Sequence, residues 1–147
     1  MVASGDRRML DVGILFVDDD PLVLEALKRA LRQMPWRSTF LTDPEQALAA
    51  IDSDEIAVVV TDNSMPGLTG LQLLELLRDK RPLVRRVLLT GDVERGPVVA
   101  AVADGLVECC LPKPWAASDL REQLYRLAEE ASSKHPPAPG PDDEALN

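Results

Sequence analysis

This sequence predicts a doubly wound α/β fold, a three-layer sandwich with a parallel sheet in the middle. Short apolar runs rich in β-branched residues recur at 14–17, 57–61, 87–89 and 107–111, and runs of this kind read as buried parallel strands. Helix-length amphipathic segments separate them, a strand–helix rhythm repeated about five times, which puts helices on both faces of the sheet. The runs also end in chemically able residues: Asp18-Asp19-Asp20, Asp62, Thr90-Gly91-Asp92 and Pro112-Lys113-Pro114. In open α/β sheets the ligand site lies beyond the carboxyl ends of the strands. Acids, a hydroxyl and a lysine should therefore meet on one sheet edge, a set suited to a divalent cation and a phosphoryl group.

Residues 1–12 are polar and read as a flexible N-terminus. The first strand is 13–17. A helix follows over 21–34, where Leu24, Leu27, Leu31 and Met34 repeat at three or four residues. Pro21 suits its first turn and Pro35 ends it. Residues 38–41 form a short second strand. Asp43 caps, and Pro44 opens, the helix that holds Ala47, Leu48 and Ile51. The central strand is 57–61. After the loop at Met65-Pro66-Gly67, Thr69 caps a helix carrying Leu71, Leu74 and Leu77, which Pro82 stops. A fourth strand spans 86–90. The helix at 93–103 is weakened near its start by Gly96-Pro97. The fifth strand is 107–111, and Ser118 caps a last helix with Leu120, Leu124, Leu127 and Ala128 inward. The predicted folded unit is 13–132. From Ser133 onward, His135-Pro136-Pro137-Ala138-Pro139-Gly140-Pro141 opens a proline-rich tail or linker at 133–147, read as disordered.

The totals exclude several classes. The chain has 147 residues, enough for one domain with a sizeable core. No apolar run approaches the roughly 20 residues that cross a bilayer, and the N-terminus lacks a signal-peptide apolar region. A net charge of −9 argues against nucleic-acid binding by this chain. Cys109 and Cys110 are neighbours on one strand and point to opposite faces, so they read as reduced thiols of a cytoplasmic protein. The single histidine, His135, lies in the tail, so no His-Cys metal site is on offer.

Asp18, Asp19 and Asp62 would lie on neighbouring strand ends, and three crowded carboxylates raise one another's pKa. A hard divalent cation relieves that, and oxygen-only ligands suit Mg²⁺, or Mn²⁺, better than zinc. Asp20 reads equally well as the cap of the helix that follows. Lys113, held between two prolines, can pair with Asp62 or with a phosphoryl oxygen; solvated surface lysine is the competing reading. The Thr90 hydroxyl can donate to a phosphoryl oxygen, although alone it is an ordinary strand-end threonine.

Together these residues resemble the receiver domain of bacterial two-component response regulators, from about Gly13 to Ala131. The resemblance is carried by Val17-Asp18-Asp19-Asp20-Pro21, by Thr61-Asp62-Asn63-Ser64-Met65-Pro66-Gly67-Leu68-Thr69-Gly70, by Leu89-Thr90-Gly91 and by Lys113-Pro114-Trp115. It implies a flavodoxin-like five-stranded parallel sheet of order 2-1-3-4-5. It implies that Asp62 accepts a phosphoryl group, and that Asp18, Asp19, Asp62 and the Ser64 backbone carbonyl hold Mg²⁺. Thr90 would be the switch hydroxyl and Lys113 the phosphoryl-stabilising amine. The implied donor is a histidine kinase or phosphotransfer protein. The implied recipient is a downstream protein partner or an effector domain joined through the tail, since no output domain follows Ser133.

One position departs from the pattern. Three residues before the lysine the family often carries Tyr or Phe, whose rotation reports the threonine's movement; here it is Cys110. The output face, through which many receivers dimerise, therefore carries Cys110 and Trp115, with Trp115 also suited to packing beside the last helix. Two alternatives stand beside this reading. A pseudo-receiver would bind partners without being phosphorylated; the acids, Thr90 and Lys113 argue against it and Cys110 keeps it open. A haloacid-dehalogenase-type phosphatase would use Asp18 and Asp20, but needs an acidic pair after the lysine, where only Asp119 follows closely.

Overall fold

The computed structural model describes residues 9–53, 55–91 and 96–134. Most of the predicted N-terminal segment, Asp92, His135 and nearly all of the proline-rich segment lie outside the described residues. The chain alternates strand and helix throughout: β1 Gly13–Val17, α1 Pro21–Ala30, β2 Arg37–Leu41, α2 Pro44–Ala50, β3 Ile56–Asp62, α3 Gly70–Lys80, β4 Arg85–Thr90, α4 Gly96–Asp104, β5 Cys109–Pro112 and α5 Ala117–Lys134. The five strands form one sheet of order β2-β1-β3-β4-β5, parallel at every pairing. Among the described residues no helix is long and apolar enough to cross a membrane.

Successive strand residues feed two separate cores, because side chains alternate across a sheet. Ile14, Phe16, Val58, Val60, Val87 and Leu89 pack with Leu24 and Leu27 of α1 and with Leu120, Leu124 and Leu127 of α5. Leu15, Val17, Val59 and Leu88 pack with Ala47 of α2, with Leu73, Leu74 and Leu77 of α3 and with Val98 and Ala101 of α4. Both faces of the inner strands are covered, so β1, β3 and β4 carry continuous apolar runs rather than alternating ones, unlike the exposed edge strand β2.

Two of the expected helix caps are present as the sequence predicts. Asp43 accepts the Glu45 N–H at 2.9 Å. The Thr69 hydroxyl accepts the Gln72 N–H at 3.1 Å, while Gln72 returns the bond to the Thr69 N–H at 2.9 Å, a reciprocal capping box.

Several boundaries differ from the sequence expectation. α1 ends at Ala30, not at 34. Pro35 disfavours helical backbone at the residue before it, and the chain turns so that Trp36 inserts into the first core at 4% exposure. β5 begins at Cys109 rather than 107: Leu106 and Val107 are buried against the second core as a loop, with the Val107 N–H bound to Ala101 O at 3.2 Å. Ser118 is not a cap but lies within the first turn of α5, where the Leu120 N–H reaches Ala116 O at 3.0 Å. α5 continues to Lys134, past the predicted boundary at 132. The expected start of the fourth helix at 93 lies outside the described residues, and α4 as described begins at Gly96-Pro97.

Two adjacent arginines lock the far end of the sheet. Arg85 joins β4 to Glu108 at 2.6 Å and to Glu130 of α5 at 2.9 Å. Arg86 is buried and gives its N–H groups to the carbonyls of Leu106 and Val84, both at 2.8 Å, and of Pro82 at 3.1 Å. Burial is the main cause of its lowered pKa.

Candidate functional site

Strand register brings the chemistry together. Val17 is level with Thr61, so Asp18 emerges beside Asp62. Asp62 is level with Leu89, one residue before Thr90. Thr90 is level with Pro112, one residue before Lys113. The Lys113 N–H closes the edge by donating to Thr90 O at 2.9 Å.

Asp18, Asp19 and Asp62 each offer a carboxylate oxygen, all within 4.8 Å of one another. Asp18 is 1% and Asp62 6% exposed, while Asp19 faces solvent. The Lys113 ammonium donates to Asp18 Oδ2 at 3.0 Å and to Asp62 Oδ1 at 2.8 Å. One ammonium against three carboxylates leaves the cluster in negative excess. Burial pushes the Asp18 carboxyl up, and the charge of Asp62 adds to the rise; the Asp20 N–H and Lys113 only partly offset it. Burial alone would pull Lys113 down, but its bonds to Asp62 and Asp18 hold its pKa above the ordinary value. The donor set is all oxygen, hard and partly open to water, which fits a small divalent cation.

Asp20 is outside the cluster: its side chain accepts the Leu22 N–H at 2.9 Å and caps α1. Thr90, 6% exposed, ends β4 on the strand next to Asp62. Ser64 is exposed in the loop 63–69 that leaves β3.

Cys110 and Trp115 are not brought together. Cys110 packs against the second core and Trp115 against the first, so they serve opposite faces of the sheet. Cys109 joins the first core, opposite Cys110 as the strand alternation predicts. Burial raises both thiols above their ordinary value.

Two residues near the site carried no role in the sequence reading. Asn63 accepts the N–H groups of Met65 and Gly70 on its carbonyl, at 3.2 and 3.0 Å, and the Leu71 N–H on its side chain at 3.2 Å. Met65 is buried in the second core and anchors the loop. The available signal was position: Asn63 directly follows the strand-end aspartate.

The profile of the response regulator receiver domain matches residues 14–125. The chain is 38% identical over 117 residues to the probable transcriptional regulatory protein TcrX of Mycobacterium tuberculosis, covering 79% of this chain and 49% of that protein. It is 31% identical over 132 residues to the transcriptional regulatory protein TcrA of the same organism, covering 88% and 51%. The chain thus spans about half the length of these curated relatives. Its backbone superposes on the signal receiver domain of an HD domain-containing protein from Pseudomonas fluorescens Pf-5 with a TM-score of 0.78 and 29% identity, covering 88% of this chain and 95% of that one.

Proposed function

The chain belongs to the response regulator receiver domain family, and from that premise we propose that it is a phosphoacceptor signalling domain whose acceptor is Asp62. The observation that carries this reading is the Asp18–Asp19–Asp62 cluster, with oxygens within 4.8 Å and Lys113 bonded to Asp62. The donor is the phosphohistidine of a histidine kinase or phosphotransfer protein.

The reaction follows from the placement of these side chains. Lys113 engages Oδ1 of Asp62, which leaves Oδ2 as the nucleophile. Oδ2 attacks phosphorus in line, a P–O bond forms, the P–N bond to the donor imidazole breaks, and the imidazole leaves with the bonding pair. The product is an aspartyl phosphate. Asp18, Asp19, Asp62 and the Ser64 carbonyl would hold Mg²⁺, which supplies charge neutralisation for the transferring oxygens. The Lys113 ammonium offsets the remaining charge, and the buried surroundings of Asp18 and Asp62 strengthen each of these interactions. The Thr90 hydroxyl then donates to the new phosphoryl group, and that displacement at the end of β4 biases the domain toward the active conformation. Hydrolysis of the acyl phosphate resets the domain.

With Cys110 in place of a bulky ring, the readout has less volume to sweep and rests on α4. The recipient is an effector domain or a separate protein; the relatives TcrX and TcrA are named as transcriptional regulators. The test is labelling by acetyl phosphate with Mg²⁺: the wild type gains one phosphoryl group and Asp62→Asn gains none. Equal labelling of the variant rejects the assignment.

A further inference from the structure

The first residue of α3 is packed directly on the backbone of the proposed acceptor. Gly70 is buried. A Cβ placed there would collide with the Asp62 carbonyl oxygen and would lie 2.8 Å from Asn63 Cα and 2.9 Å from the Asp62 carbonyl carbon. The positive-φ glycines are Gly67 and Gly105, so the requirement at Gly70 is space, not backbone freedom.

Two hydrogen bonds draw the helix into this contact. The Gly70 N–H donates to Asn63 O at 3.0 Å, and the Leu71 N–H to Asn63 Oδ1 at 3.2 Å. Both satisfy donors that a helix start leaves free. Further along α3, Leu73, Leu74 and Leu77 are fully buried in the second core, so the helix cannot retreat without opening that core. The same contact closes the loop 63–69 that carries Ser64.

We infer that Gly70 is a positioning residue for the Asp62 carboxylate. Its missing side chain lets the start of α3 clamp the Asp62–Asn63 peptide, which holds Asp62 and the loop bearing the Ser64 carbonyl in register with Asp18 and Asp19. This rests on the reading of the acid cluster given above. A helix that merely packed closely for stability would leave Mg²⁺ affinity untouched once the protein was folded.

The test compares wild type, Gly70→Ala, Asn63→Ala and, as a control away from the cluster, Gly105→Ala, whose site has φ +87 and open space around it. Each is scored for cooperative melting, Mg²⁺ affinity by calorimetry, and acetyl phosphate labelling at saturating Mg²⁺. In Gly70→Ala that melts cooperatively, Mg²⁺ affinity falls about tenfold and labelling about a hundredfold, and saturating Mg²⁺ does not restore the rate. Gly105→Ala loses stability and keeps wild-type affinity. A folded Gly70→Ala with wild-type affinity and labelling overturns the inference. If Gly70→Ala does not fold, Asn63→Ala decides, because it weakens the clamp without a clash: reduced Mg²⁺ affinity supports the inference, and wild-type affinity overturns it. A wild type that neither binds Mg²⁺ nor labels defeats the underlying site reading instead, so the two failures are told apart.

Discussion

Lys113 and Asp62 are 51 residues apart in sequence, and the ammonium of one lies 2.8 Å from Oδ1 of the other. The same ammonium reaches Asp18 at 3.0 Å. A residue just past β5 thus ties together the ends of β1 and β3, and among the described residues it is the positive charge set among the three acids.

Removing that charge leaves two buried carboxylates facing each other. Lys113→Ala is expected to lose about 2 kcal/mol in the absence of metal, a figure reduced because the lysine is partly exposed. Without the ammonium that pulls it down, the already raised Asp18 pKa climbs further, so the loss grows as pH rises through it and fades in acid. Denaturant melts at neutral and acid pH check this; an equal loss at both contradicts it.

Burial raises the Asp18 carboxyl above its ordinary value of 3.8. Its ionisation therefore costs folded-state stability, a cost that appears as pH rises through the raised value and vanishes below the ordinary one. Asp18→Asn is expected to melt higher than wild type without metal at neutral pH. With Mg²⁺ the order reverses, since a ligand at a hundredfold excess over its Kd adds about 2.7 kcal/mol to the protein that binds it. Calorimetry with and without Mg²⁺ decides; a variant that melts lower under both conditions contradicts the account.

The strands and the site edge were legible for one reason. Strands buried on both faces are continuous apolar runs, and their last residues mark the sheet edge where Asp18, Asp62, Thr90 and Lys113 meet. Asp43 and Thr69 announced their helices because caps are local chemistry. What escaped depended on partners distant in sequence. Arg86 reads as a surface charge until Leu106 and Pro82 are seen to supply its acceptors. Asn63 and Gly70 gain meaning only when α3 docks on β3. Val107 reads as strand in the sequence because apolarity reports burial, not pairing. The separation of Cys110 from Trp115 onto opposite faces follows from the path between them, which no periodicity records.

At the other end of the sheet, the hydrogen bond from Arg85 holds the exposed Glu130 below the ordinary carboxylate value of 4.5. A depressed pKa contributes stability above the ordinary value and loses it as pH falls through the folded one. Glu130→Gln should therefore show a shallower fall in stability on the acid side than wild type. Parallel acid-denaturation curves would contradict this.

Arg86→Met removes donors from the carbonyls of Leu106 and Val84, where the bonds are buried, and of Pro82, where the bond is half-buried. The expected loss is about 3 kcal/mol, read from urea midpoints, with Mg²⁺ affinity unchanged because the contacts lie at the amino end of β4. A loss below about 1 kcal/mol, within the ordinary range of substitutions, would show that water replaces the guanidinium.

The most direct measurement is site mapping of the phosphoryl group after incubation with acetyl phosphate and Mg²⁺. Peptide mass spectrometry is predicted to find the added phosphoryl on Asp62 in the wild type and nowhere in Asp62→Asn. A modified peptide that lacks Asp62, or undiminished labelling of the variant, would contradict the account.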